Sequence, residues 1–119
     1  MSQLIQYTMT LTGAVQQGNQ MLPTTPVGSL PGNQVGGPND IACRSICLQP
    51  DGANTGVIYV GAKSTMTTSD WGIRLEAPIG TVPPPPFLLG EFPSGPIRPS
   101  DLFFLGTNAD KVHVLLVPF

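Results

Sequence analysis

The stretch Asn54-Thr55-Gly56-Val57-Ile58-Tyr59-Val60-Gly61 decides the fold class. Asn and Gly both tolerate the left-handed backbone of tight turns, so Asn54-Thr55-Gly56 reads as a turn. Val57 to Val60 are β-branched or aromatic throughout, which suits a pleated, half-buried strand. Gly61 closes the run at a second bend. A short strand between two turns is the repeating unit of an all-β sandwich or barrel. Nothing in the stretch is chemically reactive.

Similar units lie on both sides. Upstream, Ile41–Leu48 has strand character and ends at Gln49-Pro50-Asp51-Gly52, where Pro fixes φ, Asp accepts backbone bonds and Gly supplies positive φ. Further upstream, residues 4–15 alternate: Ile5, Tyr7, Met9, Leu11 and Val15 share one face, and Gln6, Thr8, Thr10 and Thr12 the other. Downstream, a polar connection over 62–70 leads to a short strand at Trp71–Leu75. Four consecutive prolines, Pro83 to Pro86, form a stiff rim segment. Phe87–Phe92 reads as an edge strand, and Pro93, Pro96 and Pro99 exclude a central strand after it. Asp101–Gly106 reads as a buried strand and Thr107–Asp110 as a turn. Lys111–Phe119 has Val112, Val114 and Leu116 on one face and His113, Leu115 and Val117 on the other. With both faces largely apolar, it belongs centrally in a sheet or against a neighbouring subunit. The sum is one domain over 1–119, an antiparallel, jelly-roll-like β-sandwich of seven to eight short strands with no convincing helix.

Residues 16–40 break the pattern. From Gln16 to Asn39 there is no charged residue, four Pro punctuate the run, and Met21, Leu22, Val27, Leu30 and Val35 follow neither strand nor helix period. A solvated linker is richer in charge and poorer in Leu, Val and Met. The segment therefore reads as an extended N-terminal arm or loop, with those five apolar residues docking on a partner subunit.

Composition bounds the function. Only 10% of the 119 residues are charged and the net charge is −2, which argues against the basic footprint of a nucleic-acid binder. No apolar run approaches the ~20 residues of a membrane-spanning helix. The first residues lack the basic and apolar regions of a secretory signal. The expectation is a chain made in the cytoplasm, with no nucleic-acid or membrane partner.

Candidate chemistry is sparse. Cys43 and Cys47 lie four residues apart along one strand, roughly 13 Å, too far for a disulfide. The single His113 sits between two valines and reads as a packed or rim residue. Asp40, Asp51, Asp70 and Asp110 fall in turns, where Asp bonds the local backbone. Glu76 and Glu91 stand at strand ends with nothing to pair them as acid and base. No phosphate-loop, dinucleotide or metalloprotease motif occurs. The expectation is no enzyme, no cofactor and no metal. Trp71, after a Ser-Asp turn, is the one ring placed to contact a glycan; Tyr7 and Tyr59 read as core.

Taken in order, the features are Arg44-Ser45-Ile46-Cys47-Leu48-Gln49, then Asn54-x-Gly56-x-Ile58-Tyr59-Val60-Gly61, then Gly72-x-x-Leu75-x-x-Pro78-x-Gly80. Ser100-Asp101-Leu102-Phe103-Phe104-Leu105-Gly106 and a final Val112-x-Val114 strand follow. Over residues 41–119 this resembles small β-sandwich structural proteins of tailed-bacteriophage virions, found in capsid-decoration, head-fibre-base and tail-associated roles. The resemblance implies a non-enzymatic, multi-copy virion component. Its expected partners are copies of itself, as a trimer at a local threefold, and the major capsid protein or other virion proteins. The alternative it leaves open is a tail- or fibre-associated receptor- or glycan-binding module using Trp71.

Overall fold

The computed structural model describes residues 4–19, 40–80, 82, 84–90 and 96–118. Among these residues eight strands form two four-stranded antiparallel sheets. In chain order they are β1 (Ile5–Thr10), β2 (Gln16–Gln17), β3 (Cys43–Pro50), β4 (Ile58–Gly61), β5 (Ile73–Leu75), β6 (Phe87–Gly90), β7 (Phe103–Leu105) and β8 (Lys111–Pro118). A 3-10 turn, Pro99–Asp101, precedes β7.

The sheets have the orders β1-β8-β3-β6 and β2-β7-β4-β5. The chain passes between the sheets at nearly every step, leaving β4 and β5 as the one hairpin within a sheet. This is the connectivity of an eight-stranded jelly roll, and the antiparallel sandwich of seven to eight short strands is the fold class the sequence reading expected.

The core lies between the sheets. From one come Ile5, Met9, Ile46, Leu48, Val112 and Leu116, from the other Ile58, Val60, Leu75 and Phe104, all buried. The two-faced strand β8 is central, flanked by β1 and β3. β6 is an edge, pairing with β3 alone among the described residues.

Three expectations need correction. The first strand stops at Thr10 rather than running to Val15, because the chain turns at Gly13, whose φ of 92° lies in the left-handed region. The segment 16–40 does not begin at Gln16: Gln16 and Gln17 pair with Phe104 and Phe103. Gln16 is buried because its side-chain amide works as a local cap. Its Oε1 accepts from the Thr12 amide at 2.9 Å, and its Nε2 donates to the Thr10 carbonyl at 3.4 Å. The uncharged segment is flanked by β2 and β3, and its residues 20–39 lie outside the described residues. Finally, Tyr7 and Tyr59 are half-buried rather than core.

Because all pairings are antiparallel, the connections divide between two ends. Among the described residues, 11–15, 51–57, 76–80, 84–86 and 106–110 lie at one end, and 18–19, 40–42, 62–72 and 96–102 at the other.

Candidate interaction surface

At the first end, Asp110 is buried and its carboxylate accepts from the Thr55 amide at 2.9 Å, the Thr55 hydroxyl at 3.2 Å and the Gly56 amide at 2.9 Å. Asn54 completes the closure as a backbone mimic. Its Nδ2 donates to the Lys111 carbonyl at 2.9 Å, and its Oδ1 accepts from the Lys111 amide at 2.7 Å. The Asn54–Gly56 turn is thus tied to the β7–β8 turn. Asp110 bonds remote backbone, not the local turn expected of it.

At the second end, both flanks of the uncharged segment meet the same 3-10 turn. The Gly18 amide donates to the Leu102 carbonyl at 2.8 Å, and Gln17 Nε2 donates to the Ser100 carbonyl at 2.9 Å. From the other flank, Asp40 accepts from the Ser100 hydroxyl at 2.5 Å and the Ser100 amide at 3.2 Å, with Arg98 3.8 Å away. The Tyr7 hydroxyl donates to the Gly18 carbonyl at 2.8 Å. Burial, with Cys43 and Asp40 nearby, pushes the Tyr7 phenol well above its usual range. Burial, then Asp40, pushes the Cys43 thiol up to about 12. Asn19 is buried with its Oδ1 unpartnered among the described residues. Met21, Leu22, Val27, Leu30 and Val35 lie outside the described residues.

Cys43 and Cys47 are free thiols, one buried and one half-buried. His113 does not pack in the core. It stands on the outer face of β8, its Nε2 2.7 Å from Asp51 Oδ1 and its Nδ1 3.1 Å from the Thr8 hydroxyl. With Nε2 donating to the carboxylate, Nδ1 of the neutral ring accepts from Thr8. The bond from His113, then that from the Ala53 amide, hold the Asp51 carboxyl below its ordinary value. Sequence reading missed this row because Thr8, Asp51 and His113 meet only through the pairing of β1 with β8 and the turn after β3. Glu76 is paired with Arg74 at 2.7 Å, while Glu91 lies outside the described residues.

The outer face of the first sheet forms a shallow groove of about 410 Å³. Register places Thr8, His113 and Gln49 in one row and Gln6, Leu115, Cys47 and Leu88 in the next. The second row runs apolar toward β6, where Leu88 is 63% exposed. Just before β6, Ile79 and Val82 are 81% and 63% exposed. They line a hollow of about 220 Å³ with Pro84 and Pro85, and Gln49 Nε2 pins this segment through the Pro84 carbonyl at 2.7 Å. Leu88, Ile79 and Val82 are the candidate apolar contact residues of this part of the surface. Trp71 is 41% exposed, its ring 5.5 Å from that of Tyr59 and tilted by 42°.

Among the described residues no helix is long and apolar enough to cross a membrane. Comparison with known protein families, with curated proteins and with solved structures finds no match to this chain.

Proposed function

We propose that this chain is a non-enzymatic structural subunit of a tailed-bacteriophage virion, a decoration or cement subunit that binds the outer capsid in many copies. Jelly rolls serve as viral capsid domains, lectins and cupins, so the fold alone does not choose among them. The observation that carries the reading is the uncharged 20–39 span, rich in Pro, Gly and apolar residues, clasped at both flanks to the turn at Ser100. A rigid body presenting such a span suits a subunit that ties neighbours together. Met21, Leu22, Val27, Leu30 and Val35 make the contacts, each adding buried apolar area at ~25 cal/mol per Å². A shell of many copies multiplies small gains through avidity.

The test is imaging of particles assembled with the intact chain and with residues 20–39 replaced by a short Gly-Ser linker. The intact chain should occupy the outer capsid, and the linker variant should fold but leave particles bare. Full occupancy by the linker variant removes the tying role, and absence of the intact chain from the particle overturns the reading.

The exposed Trp71 beside Tyr59 favours one second reading, a glycan-binding module of a tail or fibre. Glycan-array binding that Trp71→Ala abolishes would select it; a silent array would dismiss it.

A further inference from the structure

We propose that a hollow on the outer face of the second sheet is a binding site for a neutral saccharide. The inference rests on the glycan-binding reading of Trp71 and deepens it, by naming the pocket, its polar groups and the class of sugar. It does not depend on where in a virion the chain sits.

The hollow has a volume of about 350 Å³. β4 and β7 supply its floor. Register sets Tyr59 opposite Leu105, and alternation along β4 turns Tyr59 outward while Ile58 and Val60 enter the core. The connection from β4 to β5 folds back over this face. Met66 is buried, and its Sδ lies 3.3 Å from where a Cβ on Gly61 would stand, so the glycine is the seat that pins the loop. Beyond Met66, the Thr67 and Asp70 backbones exchange two bonds of 3.1 Å, and the Ser69 amide donates to the Thr67 hydroxyl at 3.1 Å. Lys63 reaches Asp70 at 2.6 Å. This tight turn carries Thr68 to the hollow and leads directly into Trp71, whose ring lies 5.5 Å from that of Tyr59. Gly13 and Thr107, from turns at the first end, form another wall.

The occupant follows from the lining. No charged side chain lines the hollow, and the neighbouring charge in register, Arg74 opposite Tyr59, is held by Glu76 at 2.7 Å. An ionic ligand therefore finds no countercharge. A wholly apolar ligand would strand the hydroxyls of Tyr59, Thr68 and Thr107, which have no hydrogen-bond partner among the described residues, and leaving such groups unpaired costs affinity. The half-buried Tyr59 phenol in particular calls for a partner. A sugar ring meets both demands. Its C–H face lies on the Tyr59 ring and on Val57 and Leu105, while its hydroxyls exchange hydrogen bonds with the three protein hydroxyls. Ligand sites combine apolar walls with a few convergent polar groups in this way. A second sugar residue continues over the exposed Trp71 ring.

Amide NMR titration of the isotope-labelled intact chain tests this, with methyl glycosides of glucose, galactose, mannose, N-acetylglucosamine and glucuronic acid as probes. At least one neutral glycoside should shift the Gly13, Thr68 and Thr107 amides together and saturably. Changing Thr68→Val and Thr107→Val together keeps side-chain shape and removes two hydroxyls, and should raise the dissociation constant roughly tenfold, with the rest of the spectrum unchanged. Thr8→Val, on the outer face of the opposite sheet, should leave binding as it was. Preference for the glucuronic acid glycoside over the glucose one overturns the neutral assignment. Shifts confined to the Trp71 indole and lost in Trp71→Ala, with the double valine variant binding like the intact chain, overturn the hollow and leave the glycan-binding reading standing. Silence across the panel overturns both.

Discussion

The two ends of the sandwich are closed by different chemistry. At the first, a buried carboxylate and a buried amide side chain, Asp110 and Asn54, take up backbone groups of Thr55, Gly56 and Lys111 and tie two turns together. At the second, a half-exposed Asp40 and Ser100 clasp, backed by one Gly18–Leu102 backbone bond, holds both flanks of a long uncharged span. Buried charge-assisted hydrogen bonds are worth more than those water can replace. The first end is therefore built for stability. The second rests on half-exposed hydrogen bonds, and regions held that way open more readily than those closed by buried ones.

The largest effect should come from the first end. Asp110→Ala removes the buried carboxylate that accepts from the Thr55 and Gly56 amides, at a cost of about 3 kcal/mol. Urea unfolding should show a lower midpoint at unchanged slope. A loss below about 1 kcal/mol would mean that water satisfies these amides and that the two ends do not differ in kind.

At the second end Ser100→Ala removes the clasp hydroxyl and leaves a carboxylate that water can reach. The expected loss is about 1 kcal/mol, again by urea unfolding. A loss equal to that of Asp110→Ala would erase the contrast. Replacing Gly18 is a different matter. An added Cβ would stand 2.4 Å from the Pro99 carbonyl oxygen, so Gly18→Ala must displace the turn itself.

The same contrast marks what the sequence made legible. The strands with β-branched or aromatic runs, β4 and β8, and the Pro50-Asp51-Gly52 turn announce themselves through local chemistry, and all stand within a residue or two of where they were expected. β6 stands at a sheet edge as its sequence suggested, over Phe87–Gly90, while the rest of the expected strand, to Phe92, lies outside the described residues. The jelly-roll order was not local information: it depends on which strand finds which across the chain. Gln16 and Gln17 gave no strand signal, because a buried polar side chain is recognisable only by the groups it bonds. For the same reason Asp110 looked like an ordinary turn residue, its partners being 54 and 55 positions away. The Thr8–His113–Asp51 row and the double anchoring at Ser100 were hidden in the same way. The apolar residues of the 20–39 span were visible as contact candidates from composition alone, since composition does not depend on pairing.

Thiol labelling gives a finer comparison, because the buried Cys43 lies at the second end, with Ile97 exchanging backbone bonds of 2.8 and 3.0 Å with it. With its thiol pushed up to about 12 by burial and Asp40, Cys43 should react at pH 8 at least ~10-fold more slowly than the half-buried Cys47. If the second end opens as a local unit, Ser100→Ala should speed Cys43 labelling more than its loss of global stability accounts for. Asp110→Ala should speed it only through global unfolding. Equal acceleration per unit of stability lost would show that both ends open together.

The smallest effect is a pH dependence at the first end, where Asp51 sits outside the buried network. Its carboxyl accepts from His113 at 2.7 Å and from the Ala53 amide at 3.0 Å, and these bonds, His113 first, lower it from 3.8. The folded chain therefore binds this proton more weakly than the unfolded chain does. The stabilisation is complete above the unfolded carboxylate range and is lost as pH falls through the lowered folded value. Because both partners are solvent-accessible, the effect is modest and salt-sensitive. The stability difference between the intact chain and Asp51→Asn, from urea midpoints, should stay flat from pH 6 to about pH 5 and then shrink with further acidification. A difference that widened toward acid would mean that Asp51 is protonated more readily in the folded chain. Asp51 would then be strained by its surroundings rather than held by His113.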